Sequence, residues 1–269
     1  MEKKFETYGF NQRLTTMLKV DFRRMFTIPF FYIMVGISLV IPILILVMTT
    51  MVGGEGTVDP NGNQVAMEGF KNAWQILGSV SSSGQGAGAM SMDLVSMCNV
   101  NMMYFAVAVL VCVFVADDFR SGYSKNLFTV RSKKTDYVIS KTLVCFIGGG
   151  IMILAFVLGS VIGSAVASLP FTMEGFNVGN LVFSILSKFA LVLIFAPIYL
   201  VMSVVAKKKL WLSILLSLGV GMFLFNIAPM VAPLDATPVH LILCIAGGVG
   251  FSIGLGAISN VILNKTSLE

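Results

Sequence analysis

The chain has 269 residues, of which 57% are hydrophobic and only 12% charged, with a formal net charge of +5 and a mean hydropathy of +0.91. A soluble domain carries about twice that share of charged residues, so this composition excludes an ordinary soluble fold and points to a membrane protein. The positive charge is divided among short segments along the chain, which argues against a nucleic-acid-binding face.

The first pattern is amphipathic. Phe10, Leu14, Met17, Leu18, Phe22, Met25 and Phe26 recur at three- and four-residue spacing, while Arg13, Lys19, Arg23 and Arg24 occupy much of the remaining surface. Residues 9–26 therefore read as a basic helix lying in the membrane interface, its arginines near anionic headgroups, or as a soluble helix packed on a partner. The apolar run that follows is too late and too long for a cleavable signal peptide.

Crossing the hydrocarbon layer takes about 20 mainly apolar residues, and six runs meet that need. They are Thr27 to Val52, Leu94 to Ala116, Tyr137 to Leu169, Leu181 to Ala206, Leu210 to Met230 and Leu241 to Leu263. The expected fold is an all-α membrane protein of six transmembrane helices forming one transmembrane domain over residues 1–269. The first two spans are joined by a long segment, 53–92, with a turn-rich start, a short helix at Met67 to Leu77 and a flexible SSSGQGAGAM tract. It reads as a lid or docking loop, or as a disordered external loop.

Lysine and arginine bias sets the orientation. With the N-terminus inside, sixteen of the 18 basic residues fall on the inner side, and only Lys71 and Lys188 lie outside or toward the outer half. Both termini are then cytoplasmic in the plasma membrane of what reads as a bacterial cell.

Between the second and third spans, residues 117–136 form a short basic loop in which Arg120, Lys125, Arg131, Lys133 and Lys134 outweigh Asp117, Asp118 and Asp136. Such a loop is where a membrane subunit meets a soluble partner. Catalytic sets are missing: His240 is the single histidine, no GxxxxGK[ST] phosphate loop occurs, and Cys98, Cys112, Cys145 and Cys244 all fall inside spans. The expectation is no catalytic residue, no metal and no cofactor bound by this chain.

Polar residues within spans mark candidate substrate contacts. Asn99, Asn101 and Met102 lie in the outer half of the second span, Lys188 near the outer part of the fourth and Asn226 near the outer end of the fifth. They line an outward cavity suited to an amphiphile, or the asparagines bond between helices while Lys188 snorkels to the surface. GxxxG pairs at Gly159/Gly163 and Gly250/Gly254 mark two close helix contacts.

Taken together, the amphipathic segment running into the first span as KVDFRRMFTIPFFYI, the six spans and the central loop resemble the permease subunits of ABC-2 type exporters over essentially the whole chain. The loop elements that carry the likeness are Asp118, Gly122, Lys125-Asn126-Leu127, Arg131 and Lys141, with Asp117-Asp118 standing where many members have Glu. The resemblance implies a coupling helix over Asp118 to Phe128, anchored through Phe119, Tyr123 and Leu127 in a groove of a cytoplasmic ATPase. It also implies a second permease copy, either identical or homologous, and ATP and Mg used by the ATPase alone. The substrate class ranges over peptide, lipid and drug. The competing reading is a secondary transporter or channel-like six-helix protein with no ATPase.

Overall fold

The computed structural model describes residues 9–52, 56–58, 64–66, 69–80, 98–130, 134–173 and 175–265. Eight α-helices dominate: α1 Phe10–Thr27, α2 Pro29–Val52, α3 Met103–Arg120, α4 Tyr123–Val130, α5 Lys134–Val166, α6 Val178–Ala206, α7 Leu210–Val231 and α8 Pro238–Lys265. Six helical segments are long and apolar enough to cross a membrane: α2, α3 with the 3-10 turn before it, and α5 to α8. The chain therefore reads as a multi-pass membrane protein. A small antiparallel hairpin, β1 Gly56–Val58 with β2 Gln64–Ala66, is the only strand pairing among the described residues.

Helix boundaries follow local chemistry. The extended Ile28 ends α1, as expected for a residue before proline, and Pro29 opens α2 with the fixed φ that suits a first helical position. Asn177 caps α6 by accepting from the Asn180 amide at 2.9 Å. His240 serves the start of α8, its Nδ1 accepting from the Thr237 amide at 3.1 Å. At roughly 1.5 Å per residue, the 33 residues of α5 span about 50 Å, well beyond the ~30 Å hydrocarbon layer, so one end of α5 stands clear of it.

Contacts between helix ends define two poles. Arg13 of α1 bonds Asp136 at the start of α5, and Lys134 donates to the carbonyl of Leu263 near the end of α8. Both described termini thus share one pole, here called the basic end. At the far end, Ala73 N donates to Pro170 O and Leu234 N to Ser79 O, tying the segments before α3, α6 and α8 into one cover.

One expectation about the segment between the first spans needs correction. Of the helix expected at Met67 to Leu77, the described residues 69–77 show a 3-10 turn at Gln75–Leu77, while residues 71–74 are bend and turn. The described part does not hang free of the bundle, because Phe70, Ala73, Ile76 and Leu77 are buried in the core. The residues of SSSGQGAGAM lie outside the described set.

The core sits between α3, α5 and α6, and glycines let the helices close on it. A Cβ at Gly149 would meet Val107 and Val192 at 2.9 and 2.7 Å, and one at Gly150 would meet the Phe189 ring at 2.2 Å. The Gly159/Gly163 pair packs α5 on α2, where a Cβ on Gly159 would stand 2.1 Å from the Leu39 carbonyl oxygen. Gly250 and Gly254, in contrast, face open space, and α8 meets α6 through Gly248 against Leu193. Among the described residues, the Gly250/Gly254 pair of the sixth span therefore meets no neighbouring helix. Outward faces of α2, α7 and α8 are apolar and exposed, with Phe223 at 77% and Ile253 at 70%, as helices that face lipid should be.

Candidate functional site

At the basic end α3 continues to Arg120, one full turn further than the span read from hydropathy. Gly122 then takes φ +75, a left-handed conformation that glycine adopts without a Cβ penalty, and turns the chain into α4. Its carbonyl accepts from Asn126 N at 3.1 Å to close the first turn. The helix expected over Asp118 to Phe128 is therefore split: Asp118 and Phe119 belong to α3 and are buried, while α4 holds Tyr123, Asn126 and Leu127. Arg131 lies outside the described residues.

Asp118 sits in a buried ion cluster. Its carboxylate accepts from Arg24 Nη1 and, at 2.9 Å, from the Tyr137 hydroxyl, and Lys141 Nζ stands 2.8 Å away. Lys141 also lies 3.0 Å from Asp21, whose other oxygen accepts from Ser140 Oγ at 2.6 Å. Asp21, Asp118 and Lys141 have no exposed side-chain surface. Arg24 forks to Asp117 at 3.2 Å, and its guanidinium carbon lies 4.1 Å from the centre of the Tyr123 ring. Two buried carboxylates are thus balanced by two cations, the condition under which ions tolerate burial.

The cluster binds four helices together: Asp21 and Arg24 come from α1, Asp118 from α3, Tyr123 from α4, and Ser140 and Lys141 from α5. Burial by itself disfavours charge on Arg24, but the attraction and hydrogen bond of Asp118 outweigh it and raise the Arg24 pKa above its ordinary value. Burial raises the pKa of the Tyr123 phenol, with the Asp21 charge acting in the same direction. Aromatic contacts extend the joint, since Phe128 of α4 meets Tyr137 of α5 edge-on at 5.3 Å.

Burial also sorts the residues expected to contact a partner. Phe119 is buried, and Tyr123, Leu127 and Phe128 are half-buried against the core, so these apolar groups hold α4 to its own bundle. The face left open carries Ser121, Lys125, Asn126 and Thr129.

Asp21 and its role were missed in the sequence. The signal was present: Asp21 falls four residues after Met17 and four before Met25, on the buried stripe of α1, where an acid requires a partner. An interfacial helix would turn its cations to headgroups, yet Arg13 and Arg24 turn inward to Asp136, Asp117 and Asp118. Only Lys19 and Arg23 stay exposed.

The second candidate set divides. Asn99 lies before the helix, not within it, and its Oδ1 accepts from the Asn101 amide at 2.9 Å. Asn101 is in the 3-10 turn Val100–Met102, buried, with neither side-chain amide atom bonded. Lys188 does not snorkel: it is buried and donates to the Ala232 carbonyl. Tyr104 Oη donates to Lys188 O at 3.0 Å and pins the start of α3 to α6. Asn226 stands apart, exposed on α7 and bonded to Met222 O of its own helix, and Met102 is 38% exposed.

No family model matches the chain, and neither curated proteins nor solved structures give a match.

Proposed function

We propose that this chain is the transmembrane permease subunit of an ATP-driven exporter, moving an amphiphilic substrate outward while a separate cytoplasmic ATPase hydrolyses ATP. The observation that carries the reading is α4. An eight-residue helix stands at the basic end, open on one face and held through the other by the Tyr123 ring against Arg24 and the Phe128 ring against Tyr137, beside the Asp21–Lys141–Asp118–Arg24 cluster that joins α1, α3 and α5. Force applied to α4 would pass through Tyr123 to Arg24 and through Phe128 to Tyr137, and so to helices joined by a balanced buried ion cluster that resists being pulled apart. In this reading α4 is the coupling helix, α1 its brace at the membrane interface, and Lys125, Asn126 and Thr129 the contacts offered to the ATPase. The basic end is cytoplasmic, in keeping with the distribution of lysine and arginine. A second permease copy pairs with this one, and the protein resides in a bacterial plasma membrane. Mg-ATP binds the partner.

One observation favours the rival class, a transporter or channel without an ATPase: Lys188 is an ionisable residue buried within a span. Co-expression with a P-loop ATPase encoded beside this chain separates the two readings. The permease reading expects a stable complex that Lys125→Glu with Asn126→Asp weakens at least tenfold without changing the melting temperature. Phe119→Asp should instead reduce the yield of folded protein, because that ring is buried. Retention of the ATPase at wild-type level by the Lys125/Asn126 variant would remove α4 from the coupling contact.

A further inference from the structure

The connection between α6 and α7 consists of Lys207, Lys208 and Lys209 alone. Lys188 and Cys244 both reach carbonyls at the far end of α7, and Ser252 meets Leu193 further along, so α6 runs beside α8 in the same direction. The lysine turn therefore stands at the basic end, as does the end of α8. Its backbone is unusual. Ala206 O accepts from Lys209 N at 3.1 Å, and Lys207, the first central residue of this turn, takes φ 52 and ψ −117. These are the angles of a type II′ turn, where glycine dominates that place because a Cβ is crowded there. Lys209 then closes an inverse γ-turn, with φ −87, ψ 84 and Leu210 N on Lys208 O at 3.2 Å. The flanking helices hold this shape: Lys207 N donates to Ser203 O at 2.9 Å, and the buried Ser203 and Ser213 hydroxyls meet at 2.8 Å across the base.

Glycine would take the place of Lys207 without strain, so the lysine side chain must offer something that offsets the cost. Packing does not use it. All three lysines are exposed, and among the described residues none of them has a carboxylate partner. What they face is shown by α7. Trp211, two residues beyond the turn, is 66% exposed, and Leu215 follows one turn later on the same outward face, opposite the buried Ser213 and Ser217. An exposed tryptophan beside lysines at the end of a span is the pattern of the headgroup layer, with the indole at its boundary and the cations among phosphates.

We propose that the lysine turn and Trp211 form a docking site for an anionic phospholipid of the leaflet at the basic end, its phosphate among the three ammonium groups and its chain along Trp211 and Leu215. Charge complementarity selects the headgroup, and the apolar stripe selects a lipid over a free anion. Lys207 holds a conformation suited to glycine because its ammonium is one of the three that meet the phosphate. The inference goes beyond the exporter reading and needs only that the chain crosses a membrane.

The test uses the purified full-length chain in detergent with no ATPase present. Phosphatidylglycerol and phosphatidylcholine with the same chains are titrated separately, and retained lipid is counted by native mass spectrometry beside the melting temperature. Wild type should retain phosphatidylglycerol in preference to phosphatidylcholine. Retention should be about fivefold weaker in Lys207→Gln, the worth of one lysine near an anionic surface, and at least roughly tenfold weaker when all three lysines are replaced by Gln. Lys207→Gly should lose the same fivefold yet melt about 2–4 °C higher in phosphatidylcholine, because glycine relieves the turn. A packing role for Lys207 predicts the reverse, a lower melting temperature with unchanged retention, and that result overturns the proposal. Equal retention of the two lipids by wild type also overturns it. So does an equal loss in Lys265→Gln, which removes an exposed charge at the end of α8 and would show diffuse attraction in place of a site. Full competition by glycerol phosphate, which has the charge and no chain, assigns the turn to a free anion and overturns the lipid. In the separate co-expression assay, loss of the ATPase from the triple variant with phosphatidylglycerol retention unchanged assigns the lysines to the soluble partner instead.

Discussion

Replacing Lys141 by Met tests the ion cluster most directly. The thioether retains much of the apolar stem, which lies against the Phe114 ring 3.8 Å from Nζ, and removes only the charge. Asp21 and Asp118, both without exposed surface, would then share a buried site with Arg24 as the remaining cation. Removing one partner from a buried ion pair costs about 3–5 kcal/mol, because the other charge stays buried without compensation. At roughly 2–4 °C per kcal/mol for a chain of this size, the melting temperature should fall by about 6–20 °C. Adding Asp21→Asn to Lys141→Met leaves Asp118 facing Arg24, a balanced pair, so the double variant should recover more than half of the loss. Thermal unfolding of wild type, both single variants and the double variant in one detergent gives the coupling as a cycle. A Lys141→Met protein within 2 °C of wild type, or a double variant that shows only the sum of the single losses, would refute the argument that charge balance holds these helices together.

Glycine contacts give a paired test. Gly159→Ala should lower stability by about 1–3 kcal/mol, since its Cβ would collide with the Leu39 carbonyl, whereas Gly250→Ala should be neutral or slightly stabilising because nothing lies within 4 Å; equal melting temperatures would contradict the α2–α5 packing. The raised pKa of Tyr123 makes its protonated form the one favoured by folding, so its contribution is present below pH 10 and is lost as pH rises through the folded value. Tyr123→Phe should therefore gain stability relative to wild type between pH 9 and 11, and a pH-independent difference would show that the phenol lies in ordinary solvent. Orientation is read with single cysteines in a Cys-free background: at Thr172 on the far end an impermeant maleimide should label intact cells, and at Lys125 on the basic end only after lysis. The reverse pattern would invert the topology.

Much of the fold was legible because the bilayer constrains a chain so strongly. Every backbone amide in hydrocarbon must be bonded within its own helix, so length and hydropathy alone located six spans to within a few residues. The second span was the exception, since Leu94 to Val100 reads as apolar while the described helix begins only after the Asn99 turn. The Gly122 break was not read from the sequence, which ran one helix from Asp118 through Gly122 to Phe128. Nor was its effect on Asp118 and Phe119, because hydropathy cannot show where an amphipathic segment changes helix.

What the sequence determined by itself was therefore one-dimensional: span number, the segregation of lysine and arginine, and the absence of catalytic motifs. Pairing across the sequence belonged to the tertiary structure. Asp21 and Lys141 are 120 residues apart and meet only because α1 folds back along α5, and Gly159 and Gly250 have the same local pattern but face a helix in one case and open space in the other. A charge or a glycine acquires its role from the neighbour it meets. Hydropathy places a residue at a depth in the membrane, and packing alone decides what stands beside it.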